Sequence, residues 1–340
     1  MLTVIGLLII IGAVVAVHEL GHFIAARLVG AKVDVFSIGF GRPIVKWTDR
    51  KGTEWRLAWI PLGGFVGIYG QDEMFDRKAF EKLPKEKKIG HYLSLSAWKQ
   101  AVVIGAGVFM NMILAWTIYT GLLMTPHKIQ RPVVGESAAL EIKPGDTIVR
   151  FNGKKIETWG EMLTEKELAK GEENNLLILR GEKLIRAKMQ SGQWGILPNA
   201  DKTEIIRYGL FGAMGRAATE LWTQSKLMLT VLKQIAMGER SAKQLGGIIR
   251  IADLGGRALA AGFAAMLTMI ALVSISIGIV NLLPFPVLDG GFLMILIIEA
   301  ATGRKLQGRA MDWALRAGWA LLIALILFTI WNDLTNLIRH

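Results

Sequence analysis

The chain contains no cysteine. Disulfides, iron–sulfur clusters, thiolate zinc sites and thiol nucleophiles are therefore excluded, and any metal site must be built from histidine and carboxylate. Histidine is itself scarce, with five in 340 residues. Acidic residues are fewer than basic ones, 28 against 40, which leaves a formal net charge of +12. Charged residues make up 20% and hydrophobic residues 52% of the chain, so it is too apolar for an ordinary soluble protein and too charged for a bare bundle of membrane spans. Neither an internal repeat nor a low-complexity tract is visible. A basic balance fits either nucleic-acid binding or the positive excess of a membrane protein, and the hydropathy favours the second.

Charge is missing altogether from long stretches, and these define the expected spans. Residues 1–26 hold no Lys or Arg, and their only acid is Glu19. Residues 100–127 hold no charged side chain. Between Arg257 and Glu299 the only charged residue is Asp289, which gives a third span over 263–299. A fourth lies between Arg316 and Asp333, in a segment 317–340 that also holds the C-terminus. The first segment lacks the basic start of a signal peptide and is read as a retained span. The loop 27–99 carries 14 basic against 8 acidic residues, and the loop 300–316 carries Arg304, Lys305, Arg309 and Arg316. Both are expected in the cytoplasm, with the N-terminus, the segment between spans two and three, and the C-terminus outside.

The remaining segments are expected to be exposed to water. Residues 33–70 alternate as strands around the turn chemistry of Asp49-Arg50-Lys51-Gly52, which predicts a β-hairpin. It stands either as a small cytoplasmic hairpin or as one dipping against the spans. Residues 128–196 read as a small β-rich domain, with turns at Pro144-Gly145-Asp146 and Asn152-Gly153 and one helix starting near Thr158. Residues 197–262 read as an external amphipathic helical linker, with helical spacing over 203–250 suited to the membrane interface.

The chemistry sits in the apolar runs. His18-Glu19-Leu20-Gly21-His22 is an H-E-x-x-H pattern, which puts two imidazoles on one helix face with a glutamate beside them. Such an arrangement suits Zn2+, with the glutamate as general base. Ionisable groups inside a bilayer cost about 2.5–3.5 kcal/mol each and are functional by default. Across the three long spans only Glu19 and Asp289 are formally charged. His18, His22 and Asp289 thus make a candidate three-ligand site with one position left for water. Around Asp289, Pro284 and Pro286 break the helix and Gly290-Gly291 loosen it, which is tolerated at membrane depth only around a cavity.

H-E-L-G-H in the first span together with N-L-L-P-F-P-V-L-D-G-G in a later one resembles the site-2 protease family of intramembrane zinc metalloproteases. The order of segments is similar to its bacterial regulator-of-sigma-E branch, which cleaves anti-sigma factors. F-S-I-G-F-G with I-P-L-G-G-F-V resembles that branch's membrane-reentrant β-hairpin, and R-P-V-V-G-E-S-A-A with P-G-D-T-I-V-R-F-N-G-K-K-I resembles its PDZ-like domain. The resemblance implies a mainly α membrane protein: four transmembrane helices, a cytoplasmic membrane-associated β-hairpin and an external PDZ-like α+β domain. It implies a zinc metalloendopeptidase of the bacterial inner membrane, acting on single-pass transmembrane substrates among membrane lipids, with no nucleic-acid partner. His18, His22 and Asp289 match the zinc ligands, Glu19 the general base, and Asn281 an asparagine that holds the substrate backbone. Asn111, in Gly107-Val108-Phe109-Met110-Asn111, matches a second-span asparagine and is placed with the substrate-binding residues. Val108 replaces the usual proline, Phe292 the frequent histidine, and Leu245-Gly246-Gly247-Ile248 the usual small residue, glycine and proline. The PDZ-like region is single, where close relatives carry two. Two other readings compete: an inactive metal-stabilised scaffold that docks partners through the PDZ-like domain, which the intact Glu19 argues against, and an anchored zincin that cleaves soluble proteins.

Overall fold

The computed structural model describes residues 1–71, 77–137, 139, 141–169, 173–190, 195–244, 246–304 and 309–339. Leu245 and part of the loop 300–316 lie outside the described residues. The chain divides into two units, one of residues 1–118 with 234–340 and one of residues 119–233.

In the first unit, α1 (Leu2–Val29) is largely apolar, with its ionisable side chains at His18, Glu19, His22 and Arg27, and ends on Gly30, whose φ of 92° is the left-handed conformation glycine adopts without strain. Strands β1 (Val33–Thr48) and β2 (Glu54–Ile68) follow as the expected hairpin. The hairpin folds over on itself. Residues 33–38 pair with 64–68 on one side and with 54–57 on the other, while 43–48 pair with 54–58. Gly39 and Gly41, both at positive φ, sit where β1 changes partner. The inner half packs Val33, Phe36 and Ile68 with Phe23, Tyr92 and Val103. The outer half leaves Ile44, Val45, Trp47 and Trp59 exposed.

Two short helices, α2 (Arg77–Lys82) and α3 (Lys85–Lys88), lead to α4 (Ala97–Met124), the second apolar helix. Near its other end the first unit contains α7 (Ile248–Ala261), α8 (Phe263–Asn281), α9 (Asp289–Thr302) and α10 (Arg309–Arg339). The third expected span is broken as the two prolines require: α8 ends at Asn281, and Asp289 opens α9 after seven non-helical residues, 282–288. Among the described residues, four helices are long and apolar enough to cross a membrane: Leu2–Val29, Ala97–Met124, Phe263–Asn281 and the segment Trp313–Thr335 of α10.

Helix α7 packs on α1 through glycines, since a Cβ at Gly6 would lie 2.4 Å from the Gly255 carbonyl carbon. Its N-cap Gly247 has no side chain, and the buried Asp333 carboxylate of α10 accepts from the Gly247 and Arg250 amides at 3.1 Å instead. The single helical stretch expected over 203–250 is divided: strand, helix and a 3-10 turn succeed one another there, because Gly238 and Gly246-Gly247 interrupt the periodicity.

Among its described residues the second unit holds eight short strands: β3 (His127–Gln130), β4 (Val134–Ser137), β5 (Thr147–Phe151), β6 (Lys154–Lys155), β7 (Glu173–Arg180), β8 (Lys183–Gln190), β9 (Ile196–Pro198) and β10 (Thr203–Ile206). Strands β6-β5-β7-β8 form one antiparallel sheet, and β4–β9 and β10–β3 form two pairs. Helix α5 (Trp159–Leu168) starts at Thr158, whose hydroxyl and Glu161 form a capping box. The core is Val134, Ile148, Phe151, Trp159, Met162, Leu176, Ile178 and Met189. Buried Asp146 takes both Nε and Nη2 of Arg180 at 2.8 Å, and the Lys143 amide. That guanidinium holds the Asp146 carboxyl below the usual carboxylate range. Helix α6 (Leu210–Ala236) leaves Phe211, Trp222 and Leu229 exposed along one side, the amphipathic pattern expected from the sequence.

Candidate metal centre

His18 and His22 lie one turn apart on α1, both turned toward α4 and the start of α9. Their Nε2 atoms are 3.2 Å apart. Asp289 Oδ2 lies 3.3 Å from His18 Nε2 and 3.5 Å from His22 Nε2. The helix break places it: Asp289 begins α9, where a carboxylate suits the positive end of the helix dipole. Gly290 and Gly291 are required for the fold-back. A Cβ at either would meet the backbone of residues 282–286 at 2.0–2.7 Å.

This donor set fits a cation. The two Nε2 atoms and a carboxylate oxygen face one another, and a cation between them would satisfy all three. Asp289 Oδ2 is buried and makes no hydrogen bond. Tetrahedral zinc, with ligand distances of about 2.0–2.2 Å, spaces its ligand atoms about 3.3–3.5 Å apart. The separations here, 3.2 to 3.5 Å, have that size. Among the described residues this is the one group of three His or acidic side chains close enough to hold a metal.

The space beside the imidazoles depends on Gly107. A Cβ there would stand 2.4 Å from His22 Nε2 and 2.8 Å from His18 Nε2. Two backbone groups complete the surroundings, and neither is legible in the sequence. The Val103 carbonyl lies 2.8 Å from His22 Nδ1, so Nδ1 carries the hydrogen and donates, leaving Nε2 bare. The Val66 amide of β2 hydrogen-bonds to Glu19. Gly64 is needed for the strand pairing beside it, since a Cβ there would meet the Ser37 carbonyl oxygen of β1 at 2.6 Å.

A cavity of about 260 Å³ opens on the cluster, lined by His18, Glu19 and His22 from α1, Phe65, Val66 and Ile68 from β2, Val103 and Ile104 from α4, and Asn281, Asp289 and Phe292 around the helix break. Asn281 Nδ2 is 3.3 Å from His18 Nε2, on the cavity side. Asn111 takes a different place. It is fully buried behind the His18 ring, its Nδ2 is 3.3 Å from His18 Nδ1, and it does not line this cavity. The structure thus brings His18, Glu19, His22, Asp289 and Asn281 to one cavity and puts Asn111 behind it.

Comparison with known proteins agrees with this chemistry. A protein of Rhizobium meliloti that carries the provisional name of zinc metalloprotease is 34% identical, over 96% of this chain and 95% of its own length. A Campylobacter jejuni protein with the same provisional name is 36% identical, over 97% and 92%. The metalloprotease MmpA of Caulobacter vibrioides is 30% identical, over 99% and 96%. Residues 6–325 match peptidase family M50. With the sequence matched over nearly its whole length, and with a histidine–carboxylate cluster in a chain that carries four apolar helices among its described residues, the chain belongs to peptidase family M50, the site-2 protease family of zinc metalloproteases.

Proposed function

We propose that this zinc metalloprotease hydrolyses peptide bonds within the membrane-spanning segments of other membrane proteins, with His18, His22 and Asp289 as its zinc ligands and Glu19 as its general base. The observation that carries the reading is position: His18 and His22 lie within the apolar helix α1, and Asp289 lies at the break between the apolar helices α8 and α9.

Zinc bound there supplies a Lewis acid that lowers the pKa of water to about 7. The chain's own groups do the rest. Glu19, oriented by the Val66 amide, accepts a proton from the attacking water and passes it to the leaving amine as the C–N bond breaks. Asn281, on the cavity wall, donates its amide hydrogens to the substrate backbone and to the developing oxyanion. A helical substrate hides its carbonyls in i→i−4 bonds and must unwind first. Strand 64–68 of β2 lines the cavity and offers an unwound segment a partner for strand addition. The exposed Ile44, Trp47 and Trp59 of the outer hairpin suit contact with lipid, in keeping with a membrane-reentrant hairpin.

The remaining expectations extend this reading. Residues 27–99 and 300–316 face the cytoplasm of a bacterial inner membrane, and the unit containing residues 128–196 lies outside it. Residues 128–196 form a PDZ-like domain there, which filters substrates by the size of their external part. The enzyme then belongs with the regulator-of-sigma-E branch, acting on anti-sigma-factor-like proteins or signal-peptide remnants.

The test is cleavage of a single-pass protein in detergent by the parent and by Glu19→Gln, with the products mapped by mass. The expected result is a cut within the apolar segment by the parent, a rate lower by about 10²–10⁴ in Glu19→Gln, and unchanged zinc content. A cut confined to soluble flanks, or parental activity in Glu19→Gln, would overturn the proposal.

A further inference from the structure

The two histidines are held differently on their far sides. His22 Nδ1 has a backbone acceptor, the Val103 carbonyl, at 2.8 Å. His18 Nδ1 faces the Asn111 side chain at 3.3 Å, with the amide nitrogen nearest. In that orientation Asn111 Oδ1 is buried with no hydrogen-bond partner. An asparagine amide is nearly symmetric in shape, and its orientation is fixed by what surrounds it. Rotating the amide by half a turn exchanges the two atoms at the His18 end. Oδ1 then occupies the position 3.3 Å from His18 Nδ1 and accepts its hydrogen. That places the bare lone pair on Nε2, the nitrogen that already points at Asp289 and His22. The side chain is in place to do this. Asn111 lies four residues after Gly107 on the same face of α4, and its backbone carbonyl is held by the buried Ser274 hydroxyl of α8 at 2.9 Å.

We infer that Asn111 is a positioning residue for zinc, whose Oδ1 fixes the tautomer and ring orientation of His18, and that it does not contact substrate. The inference rests on the proposed site at His18, His22 and Asp289. It gives the two imidazoles matching support: a backbone carbonyl behind His22 and a side-chain carbonyl behind His18. Such outer acceptors raise the basicity of the ligating nitrogen, and their loss typically costs about 10–100-fold in metal affinity.

The experiment measures zinc affinity of the full chain in detergent by competition with a chelator, for the parent, Asn111→Leu and Asn111→Asp, beside the melting of each metal-free form. Leucine removes the acceptor at similar volume, and aspartate keeps it. The expected result is a loss of about 10–100-fold for Asn111→Leu and near-parental affinity for Asn111→Asp, with the metal-free forms melting alike. Parental affinity in Asn111→Leu overturns the inference, as does an equal loss in both variants, which points to packing. A parent whose zinc survives His18→Ala overturns the site itself and this inference with it, so the two failures are distinct. If Asn111→Leu does not fold, imidazole NMR of the isotope-labelled, zinc-loaded parent decides. Hydrogen on Nδ1 of both ligand histidines, protected from solvent, supports the assignment, and hydrogen on Nε2 of His18 contradicts it.

Discussion

Gly107 of α4 stands directly against the His22 ring, so close that a Cβ at this position would lie 2.4 Å from Nε2. The hydrogen at Gly107 is what leaves room between two membrane helices for a metal. Gly107→Ala should therefore weaken zinc binding by about ten-fold or more, the scale of disturbing a ligand's surroundings. Chelator competition reads this, and the metal-free variant should remain folded because α4 is otherwise unaltered. Gly105, with nothing within 4 Å of its added Cβ, is the control, and Gly105→Ala should bind zinc as the parent does.

The contact between α1 and α7 gives a prediction about stability. Gly6→Ala pushes a methyl to 2.4 Å from the Gly255 backbone, whereas a methyl at Gly12 on the same helix meets nothing within 4 Å. Overpacking costs about 1–3 kcal/mol, and replacing an unhindered helical glycine with alanine gains about 0.5–1 kcal/mol. Thermal melting in detergent should accordingly fall for Gly6→Ala and hold or rise for Gly12→Ala. Equal melting of the two would mean that α7 does not pack on α1 as described.

Asp146 and Arg180 make the second unit sensitive to acid. The arginine holds the Asp146 carboxyl below its ordinary value, so the folded state binds its proton less readily than the unfolded state. The stabilisation is complete above the unfolded carboxylate pKa of about 3.9 and is lost as pH falls through the depressed folded value. Protection of the β5 and β7 amides from hydrogen exchange in the full chain should be high at neutral pH and fall below that range. Arg180→Gln should move the loss of protection to higher pH. An unchanged profile in that variant would remove the pair from the acid response.

Much of the centre is legible in the sequence, because its chemistry is local or rare. His18 and His22 share a face through helical spacing alone, and Asp289 stands out as the lone acid in an apolar run that Pro284 and Pro286 must break. The hairpin reads from its turn and its alternation. What the sequence does not display are partners supplied by the backbone: the Val103 carbonyl and the Val66 amide carry no side-chain signature. Asn111 is visible as a residue, but its place behind His18 depends on how α4 crosses α1, 93 positions away in sequence. Helix α7 is similarly hidden. Its amphipathic pattern reads as an interfacial linker, and only Gly255-Gly256 hints that one face packs against another helix.

Zinc stoichiometry of the purified protein, with and without the Asp289 carboxylate, tests the central claim most directly. Asp289 supplies the only acidic oxygen in the three-residue cluster, and two imidazoles alone leave the metal weakly held. The account predicts about one zinc per parent chain, and a value far below one for Asp289→Ala after dialysis against a mild chelator. An Asp289→Ala variant that kept stoichiometric zinc would contradict the proposed centre.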